Sequence, residues 1–400
     1  MTDIRLGSIP GGEYEAYRYD VIFDAYKWDP QVGSTNTVAR HAVLLSKDLA
    51  ERLEAWAEKL SEETVLLEKA LTARLDLVKK LGIPKKIADK LPLLADSSQD
   101  KNVRFMRFDF HPTTEGWAVS EVNSDVPAGF AESSSLPLIT SRYFDKYGPG
   151  ANTVDSIYNA FQGKVKPGDT IALVHATSYS EDRQVMQSLG DVFEKNGYKT
   201  FYAAPGNIRW EDGKPAGVDA IVRRFPLEWL AHLNKKTAWF NYFRCAVPSC
   251  NAPSALLVQS KRLPLVWDDL GIDVPAWKEL LPPTLDPRDI GKNMDGWIYK
   301  PAMGRVGEGI SIKIAGREKE QRKIESDAKK KPKEWVAQKQ FQSKPLVTEE
   351  GERYHLCLGV FTVQGKAAGF YGRTSLYPLI DANAIDIPVL VERSAHEQQK

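Results

Sequence analysis

FMRFDFHPTTEGWAVSEVNSDVPAGF, residues Phe105–Phe130, decides the reading of this chain. Two short runs alternate apolar and polar side chains on either side of a turn with Pro112 and Gly116. Phe105, Arg107 and Asp109 fall on one face of the first run; Val119, Glu121 and Asn123 fall on one face of the second. Period-two alternation with aromatic and β-branched residues predicts a β-hairpin or two neighbouring strands. Pairing them would bring Asp109 near Glu121 and Asn123, three oxygen donors with no soft ligand among them. Such a set suits a hard cation, Mg²⁺, shared between protein and nucleotide phosphates. A solvated sheet face beside a Pro-Gly turn would give the same pattern.

Downstream, strand and helix patterns alternate. TIALVH (Thr170–His175) is a buried-strand candidate, Asp182–Asn196 a helix ending at Gly197, and Tyr198–Ala203 and Asp219–Arg223 further strands. That alternation predicts an α/β layer with parallel strands, whose ligands gather beyond the strand carboxyl ends. His175–Arg183 and Arg223–Glu228 would then form a binding edge, or ordinary βα loops.

WIYKPAMGRVGEGISIKI (Trp297–Ile314) is the second chemical segment. A strand ending in Lys300 leads into a loop with Gly304, Gly307 and Gly309, and then into another alternating strand. Closely spaced glycines let a backbone approach a polyphosphate and offer it amide groups. No GK[ST] follows, so this is not a Walker A loop, and no helix follows as a Rossmann fingerprint requires. A flexible lid over ATP and a plain glycine-rich hairpin both fit. Lys261 precedes it in QSKRLPLVW, and the charged run Glu318–Lys333 reads as an exposed helix or a disordered insertion. Trp335–Phe341, His355–Val363, Ala368–Arg373 and Ile387–Glu392 read as further strands. Arg373, after Gly372, is a candidate clamp for a carboxylate or phosphate, because guanidinium binds such groups bidentately, or else a surface ion-pair partner.

Upstream, residues 1–100 read as mainly helical after an irregular aromatic start. Ser46 is a candidate N-cap with Asp48 in the first turn, and Leu49, Leu53, Trp56 and Leu60 follow on one face. Tyr26, Trp28 and Asp29 stand too isolated to interpret.

With 400 residues, 42% hydrophobic and 27% charged, a globular protein of two or three domains is expected. A net charge of +1 gives no electrostatic argument for nucleic acid or an anionic membrane. Cys245, Cys250 and Cys357 form no CxxC pair or zinc spacing and read as reduced thiols. No signal pattern opens the sequence and no apolar run approaches membrane-spanning length, so a cytoplasmic protein is expected.

Taken together, EVNSDVPAG (Glu121–Gly129) lies before both lysines, whereas ordinary ATP-grasp ligases end on such an element. This permuted order, with R-x-D and then E-x-N starting twelve positions after the Asp, resembles the synthetase domain of the glutathionylspermidine synthase family. GRVGEG after Lys300 and FTVQGKAAGFYGR (Phe361–Arg373) extend the resemblance over nearly the whole chain. It implies a circularly permuted ATP-grasp fold of the α/β (α+β) class with a pre-ATP-grasp α/β domain. The expected layout is a helical region at 1–100, the metal-binding part of the core at 101–165, the pre-ATP-grasp domain at 166–290, and the lid and C-terminal core at 291–400.

The resemblance also implies residue roles. Asp109, Glu121 and Asn123 would hold Mg²⁺, two ions in all, and Lys261 and Lys300 would bind ATP. Gly304 and the Val306–Gly309 loop, with Gly307 and Glu308, would cover the phosphates; Gln338–Phe341 would hold adenine. Arg305 would reach the reacting acyl phosphate, with Arg107 and Arg373 lining the carboxylate site. Glu181, Asp182 and Arg224 would contact substrate. An ATP-dependent carboxylate–amine ligase acting through an acyl phosphate is implied, with small-molecule substrates. The alternatives are a non-catalytic ATP-binding protein of the same fold and a ligase of amino acids or natural-product building blocks. Two departures stand out. Val126, Pro127 and Ala128 replace hydroxyl residues that contact glutathione in the family, so a different acid is expected. The first hundred residues carry no cysteine, so no Cys-dependent amide hydrolysis is expected from them.

Overall fold

The computed structural model describes residues 3–33, 35–96, 101–290, 295–305, 307–314 and 317–394. Its main elements begin with β1 (Ile4–Ser8), α1 (Tyr14–Phe23), β2 (His41–Leu45) and α2 (Lys47–Ala73). The hairpin β3 (Phe105–Thr113) and β4 (Gly116–Asn123) comes next, then α3 (Phe130–Thr140), β5 (Tyr147–Pro149) and α4 (Thr153–Phe161). An α/β stretch carries β6 (Thr170–Val174), α5 (Ser180–Lys195), β7 (Lys199–Ala203), β8 (Ala220–Arg223) and β9 (Ser249–Cys250). The last part holds β10 (Thr284–Leu285), β11 (Trp297–Pro301), α6 (Glu318–Lys330) and β12 (Trp335–Lys339). β13 (Arg353–Val363), β14 (Lys366–Ser375), β15 (Ile385–Ile387) and β16 (Val389–Glu392) complete it.

The hairpin forms as its alternation predicts, and it is the edge of a larger antiparallel sheet ordered β15–β14–β13–β3–β4. Strand β3 runs through Pro112 and reverses at residues 114–115, later than the expected turn. The register shifts once: Phe108 faces Val122 and Phe110 faces Val119, so Ser120 and Glu121 both oppose Asp109. Such a bulge flips the alternation on one strand. Val119 therefore joins Val122 in the core while Glu121 and Asn123 line a cavity, correcting the face that period two assigned to Val119.

Helix α2 lays Leu49, Leu53, Leu60, Leu67 and Leu71 into the core shared with Phe108, Phe110 and Leu358 of the central sheet. Its Ser46 cap is as expected, with Leu49 N–H donating to Ser46 Oγ at 3.3 Å. The N-terminal region is more than helical. β1 and β2 join β16 and β5 in a four-stranded sheet, with β2 parallel to β16. The expected α/β layer is present as a parallel sheet ordered β9–β8–β6–β7. A further sheet, β10–β12–β11, carries Lys300.

One expected strand does not form. After the glycine loop, residues 310–314 build no ladder. Among the described residues, Ser311 hydrogen-bonds to β11, its N–H donating to Tyr299 O and its Oγ accepting from Tyr299 N–H. One such pair does not make a strand; the ladder partner of β11 is β12, whose residues run antiparallel to it from Trp297 to Pro301. The charged run is a helix, α6. Among the described residues, no helix is long and apolar enough to cross a membrane.

Candidate active site

The cavity that β3 and β4 border has a volume of about 480 Å³ and gathers side chains from every part of the chain. Its two ends differ in charge.

At the first end, strand faces supply the charges. Arg107 and Asp109, two positions apart on β3, point the same way and pair bidentately: Nε donates to Oδ1 at 2.6 Å and Nη2 to Oδ2 at 2.8 Å. Arg107 Nη1 donates to Ala128 O at 2.7 Å, and its guanidinium lies over the Tyr371 ring. Burial works against this charge, but Asp109 holds its pKa above the ordinary value. Asn123 Nδ2 donates to Asp109 Oδ2 at 3.1 Å, so two of the three expected metal ligands are in direct contact.

Glu121 takes the Lys261 ammonium at 2.6 Å. Burial raises its pKa, yet Lys261, Lys300 and Arg107 overcome that and bring it down to about 2. Lys261 Nζ also donates to Gly304 O at 2.7 Å, joining the turn after residues 256–259 to the glycine loop. Lys300 is 5% exposed, and its Nζ donates to Gln338 Oε1 at 2.6 Å. Burial lowers its pKa to about 8, partly offset by Glu121. The expected nucleotide lysines thus flank one carboxylate.

Gln338 has a different place from the one expected. It sits on β12 with its carbonyl on Lys300 and its amide donating to Thr284 Oγ1, and it does not line the cavity. Gln340, Phe341 and Ser343 line that wall instead, with His111 5.1 Å from the Phe341 ring. Burial lowers the His111 pKa to about 4, so its ring is neutral at pH 7.

Gly304, Gly307 and Glu308 line the cavity, while Gly309 lies behind, against Pro301 and Trp335. Val306 lies outside the described residues. Gly307 has φ +68, and a Cβ there would come within 2.3 Å of Ile380 O, so glycine is required on two counts. Arg305 does not reach free into the cavity centre. Its Nε and Nη2 donate to Glu228 Oε1 at 3.0 and 2.8 Å, and Asp125 lies 3.6 Å away. Asp125 is fully buried, pairs with Arg223 and accepts the Leu227 N–H, tying the hairpin exit to the end of β8.

Arg373, on β14 beside β13, donates from Nη2 to Asp381 O at 2.7 Å, and its buried Nε makes no hydrogen bond but lies 3.9 Å from Asp386 Oδ1. Arg107 and Arg373 both line the cavity. Val126 and Ala128 form part of the wall.

At the second end, acids prevail. Glu181 and Arg224 line the cavity at the carboxyl edge of the parallel sheet, as the α/β reading expects. Asp182 stands behind them, 3.6 Å from Arg224, and accepts the Ala176 N–H. Lys27, Asp29, Glu132 and Asp386 complete this end and escaped the sequence reading. The I-D-I pattern at 385–387, one acid between two apolar residues, was the available signal for Asp386. Nothing local marks Lys27.

Asp109, Glu121 and Asn123 offer hard oxygen donors on one wall and so fit Mg²⁺ in kind. They are two carboxylates and an amide; among the described residues, no group of three or more His, Cys, Asp or Glu side chains forms a metal cage. Mg²⁺ usually takes its remaining ligands from water and phosphate oxygens.

Residues 20–392 match the family described as glutathionylspermidine synthase preATP-grasp. Among solved structures, a glutathione synthetase-like effector from Globodera pallida superposes with a TM-score of 0.61. At 11% identity over 96% of this chain and 99% of that one, it shows a shared fold. A putative gamma-glutamylcysteine synthetase from Methylobacillus flagellatus is more distant, with a TM-score of 0.43, 12% identity, and coverage of 78% of this chain and 86% of that one. No curated protein matches.

Proposed function

We propose that this chain, which belongs to the glutathionylspermidine synthase preATP-grasp family, is an ATP-dependent ligase that joins a carboxylate to an amine. The observation that carries the reading is the first end of the cavity. Lys261 and Lys300 flank Glu121, and Arg107 and Arg373 stand on the same walls with Arg305 on the glycine loop beside them. Phosphoryl transfer asks mostly for positioning and positive charge, and little else of a protein.

In this reading the substrate carboxylate attacks the γ-phosphoryl group of ATP, giving an acyl phosphate and ADP. The amine then displaces phosphate and an amide forms. Lys261 and Lys300 hold the polyphosphate. Arg107 and Arg373 orient the acid and balance charge on the intermediate. Arg305 moves from Glu228 towards the transferring group as the glycine loop closes and excludes water. Asp109, Glu121 and Asn123 would hold Mg²⁺, which would neutralise phosphate charge. The Gln340–Phe341 wall, with His111 beside it, receives adenine, and Gln338 serves by fixing Lys300.

The ATP-grasp assignment, its permuted order and the four-part domain layout belong to the same proposal. They are supported by β3 pairing with β13, which joins the early hairpin to strands from the end of the chain. Val126 and Ala128 on the wall support an acid smaller or more apolar than glutathione, because an apolar wall leaves buried amides unpaired at roughly 1–3 kcal/mol each. The test is ADP release screened over pools of carboxylates and amines, with mass detection of the amide. ATP that binds but yields neither ADP nor amide with any pool would favour a non-catalytic ATP-binding protein.

A further inference from the structure

At the acidic end, one side chain has no task in the ligase reading. Lys27 is 4% exposed, lines the cavity, and sets its Nζ 2.8 Å from Asp386, 3.0 Å from Asp29 and 3.5 Å from Glu132. An ammonium has three N–H groups, and here three carboxylates from a loop, α3 and β15 surround it. All three carboxylates line the cavity as well. Asp386 also accepts the Tyr371 hydroxyl at 2.6 Å and lies 3.9 Å from Arg373, Glu132 Oε2 is buried with no hydrogen-bond partner, and Glu181 stands on the same wall with Arg224.

The backbone delivers this lysine from outside the cluster. Tyr26, just before it, takes φ +56, a left-handed conformation that a bulky residue keeps only when its surroundings impose it. Those surroundings are on α5. The Tyr26 hydroxyl donates to Asp191, and the Trp28 N–H donates to Gln184 Oε1 at 2.8 Å. Lys27 is thus clamped on both sides and pushed into the acids.

We propose that this cluster is an ammonium site filled by the protein's own lysine, so that Lys27 limits the amine substrate to one amino group and turns away diamines and polyamines. The proposal rests on the ligase reading for the existence of an amine substrate. A diamine offers one nitrogen to the acyl group and must find acceptors for the other. The acceptors at this end already hold a tethered ammonium, whose effective concentration is on the order of millimolar or more for a short tether. A second cation would also meet like charge there. A monoamine asks for no such site.

The test uses the full-length chain and 1,4-diaminobutane as probe, with 1-butanol as the neutral control. Titration calorimetry and thermal shift should show no binding to the unmodified protein at low millimolar diamine. Lys27→Ala should bind the diamine at least tenfold more tightly and be stabilised by it and not by butanol. Lys27→Arg, which keeps the charge in place, should behave like the unmodified protein. Equal response of Lys27→Ala to diamine and butanol would reduce the cluster to a structural ion pair and overturn the proposal. Should Lys27→Ala not fold alone, Lys27→Ala combined with Glu132→Gln removes one of the uncompensated acids and meets the same criterion. Amide products carrying a free second amine, made efficiently by the unmodified protein, would overturn it too. Absence of any amide product would instead count against the ligase reading, while the diamine titration still decides the role of Lys27.

Discussion

At one end of the cavity Lys261, Lys300, Arg107 and Arg373 outnumber Asp109 and Glu121; at the other Asp29, Glu132 and Asp386 surround a single lysine. Both ends bury charge, and they settle it differently. At the cationic end Arg107 pairs with Asp109 on its own strand, and the others rest on acceptors from other elements: Lys261 on Glu121 and Gly304, Lys300 on Gln338, Arg305 on Glu228. In the proposed ligase, those contacts would be exchanged one at a time for phosphate oxygens. At the acidic end three carboxylates share one ammonium, so moving it uncovers Asp29 and Glu132, while Asp386 keeps the Tyr371 hydroxyl. Under the two proposals, the first end awaits an anion and the second is already closed by a cation.

The largest effect should follow from removing the carboxylate between the lysines. Glu121→Ala should lower ADP formation with the best substrate pair by roughly 10²–10³-fold, on the scale of losing one preorganised charge contact. Circular dichroism should show an intact fold. Near-normal turnover would remove Glu121 from the machinery and erase the contrast between the ends.

Arg107→Met and Arg373→Met should separate the two arginines by stability. Arg107 neutralises buried Asp109 with two hydrogen bonds, whereas the hydrogen bond of Arg373 goes to a backbone carbonyl. Stranding a buried charge costs about 3–5 kcal/mol. Urea titration should therefore show Arg107→Met clearly the less stable, with both variants raising KM for the acid. Equal stabilities would mean that Asp109 finds another partner, Asn123 or a lysine, at no penalty.

The Glu228–Arg305 contact predicts a smaller, local effect. A non-hydrolysable ATP analogue should slow amide exchange several-fold across 303–305 and 307–310. Glu228→Gln should speed it in the absence of nucleotide. A loop indifferent to both would not be a lid.

The smallest effect concerns pH. The Lys300 pKa, near 8, lies below the ordinary lysine value because burial disfavours the ammonium. The unfolded chain keeps this proton to higher pH, so Lys300 destabilises the fold below about pH 8, and that burden is relieved as pH rises towards the ordinary value. Nucleotide binding has the opposite sign. Phosphate favours the charged form, so ATP should bind more weakly above pH 8 and take up a fraction of a proton there. Calorimetry in two buffers of different ionisation heat would measure the uptake; zero uptake between pH 8 and 9 would separate Lys300 from the phosphates.

The hairpin, the α/β layer and the glycine loop were legible because alternation and glycine spacing are local properties. Alternation records faces, not partners, and there it misled. It promised a strand at 310–314 whose ladder never forms, and it put Val119 on the face of Glu121 because a bulge leaves no mark in the pattern. The contact of Gln338 with Lys300 was not legible either, because Lys300 lies on the neighbouring strand. The acidic end was invisible for a stronger version of the same reason. Its members stand at 27, 29, 132 and 386, and only the fold brings them together.

Strand β16 carries one further consequence, in time rather than space. It lies between β2 and β5, pairing Val389–Val391 with Val43–Leu45. On a ribosome, β2 therefore waits for a neighbour made roughly 350 residues later, some 20–70 s at about 5–20 residues per second. Throughout that interval HAVLL can pair only with β1, and its other backbone edge stays open. An apolar strand with an open edge invites pairing with other chains. Truncations just before Val389 should thus shift the product from soluble to aggregated abruptly, although they remove no cavity residue.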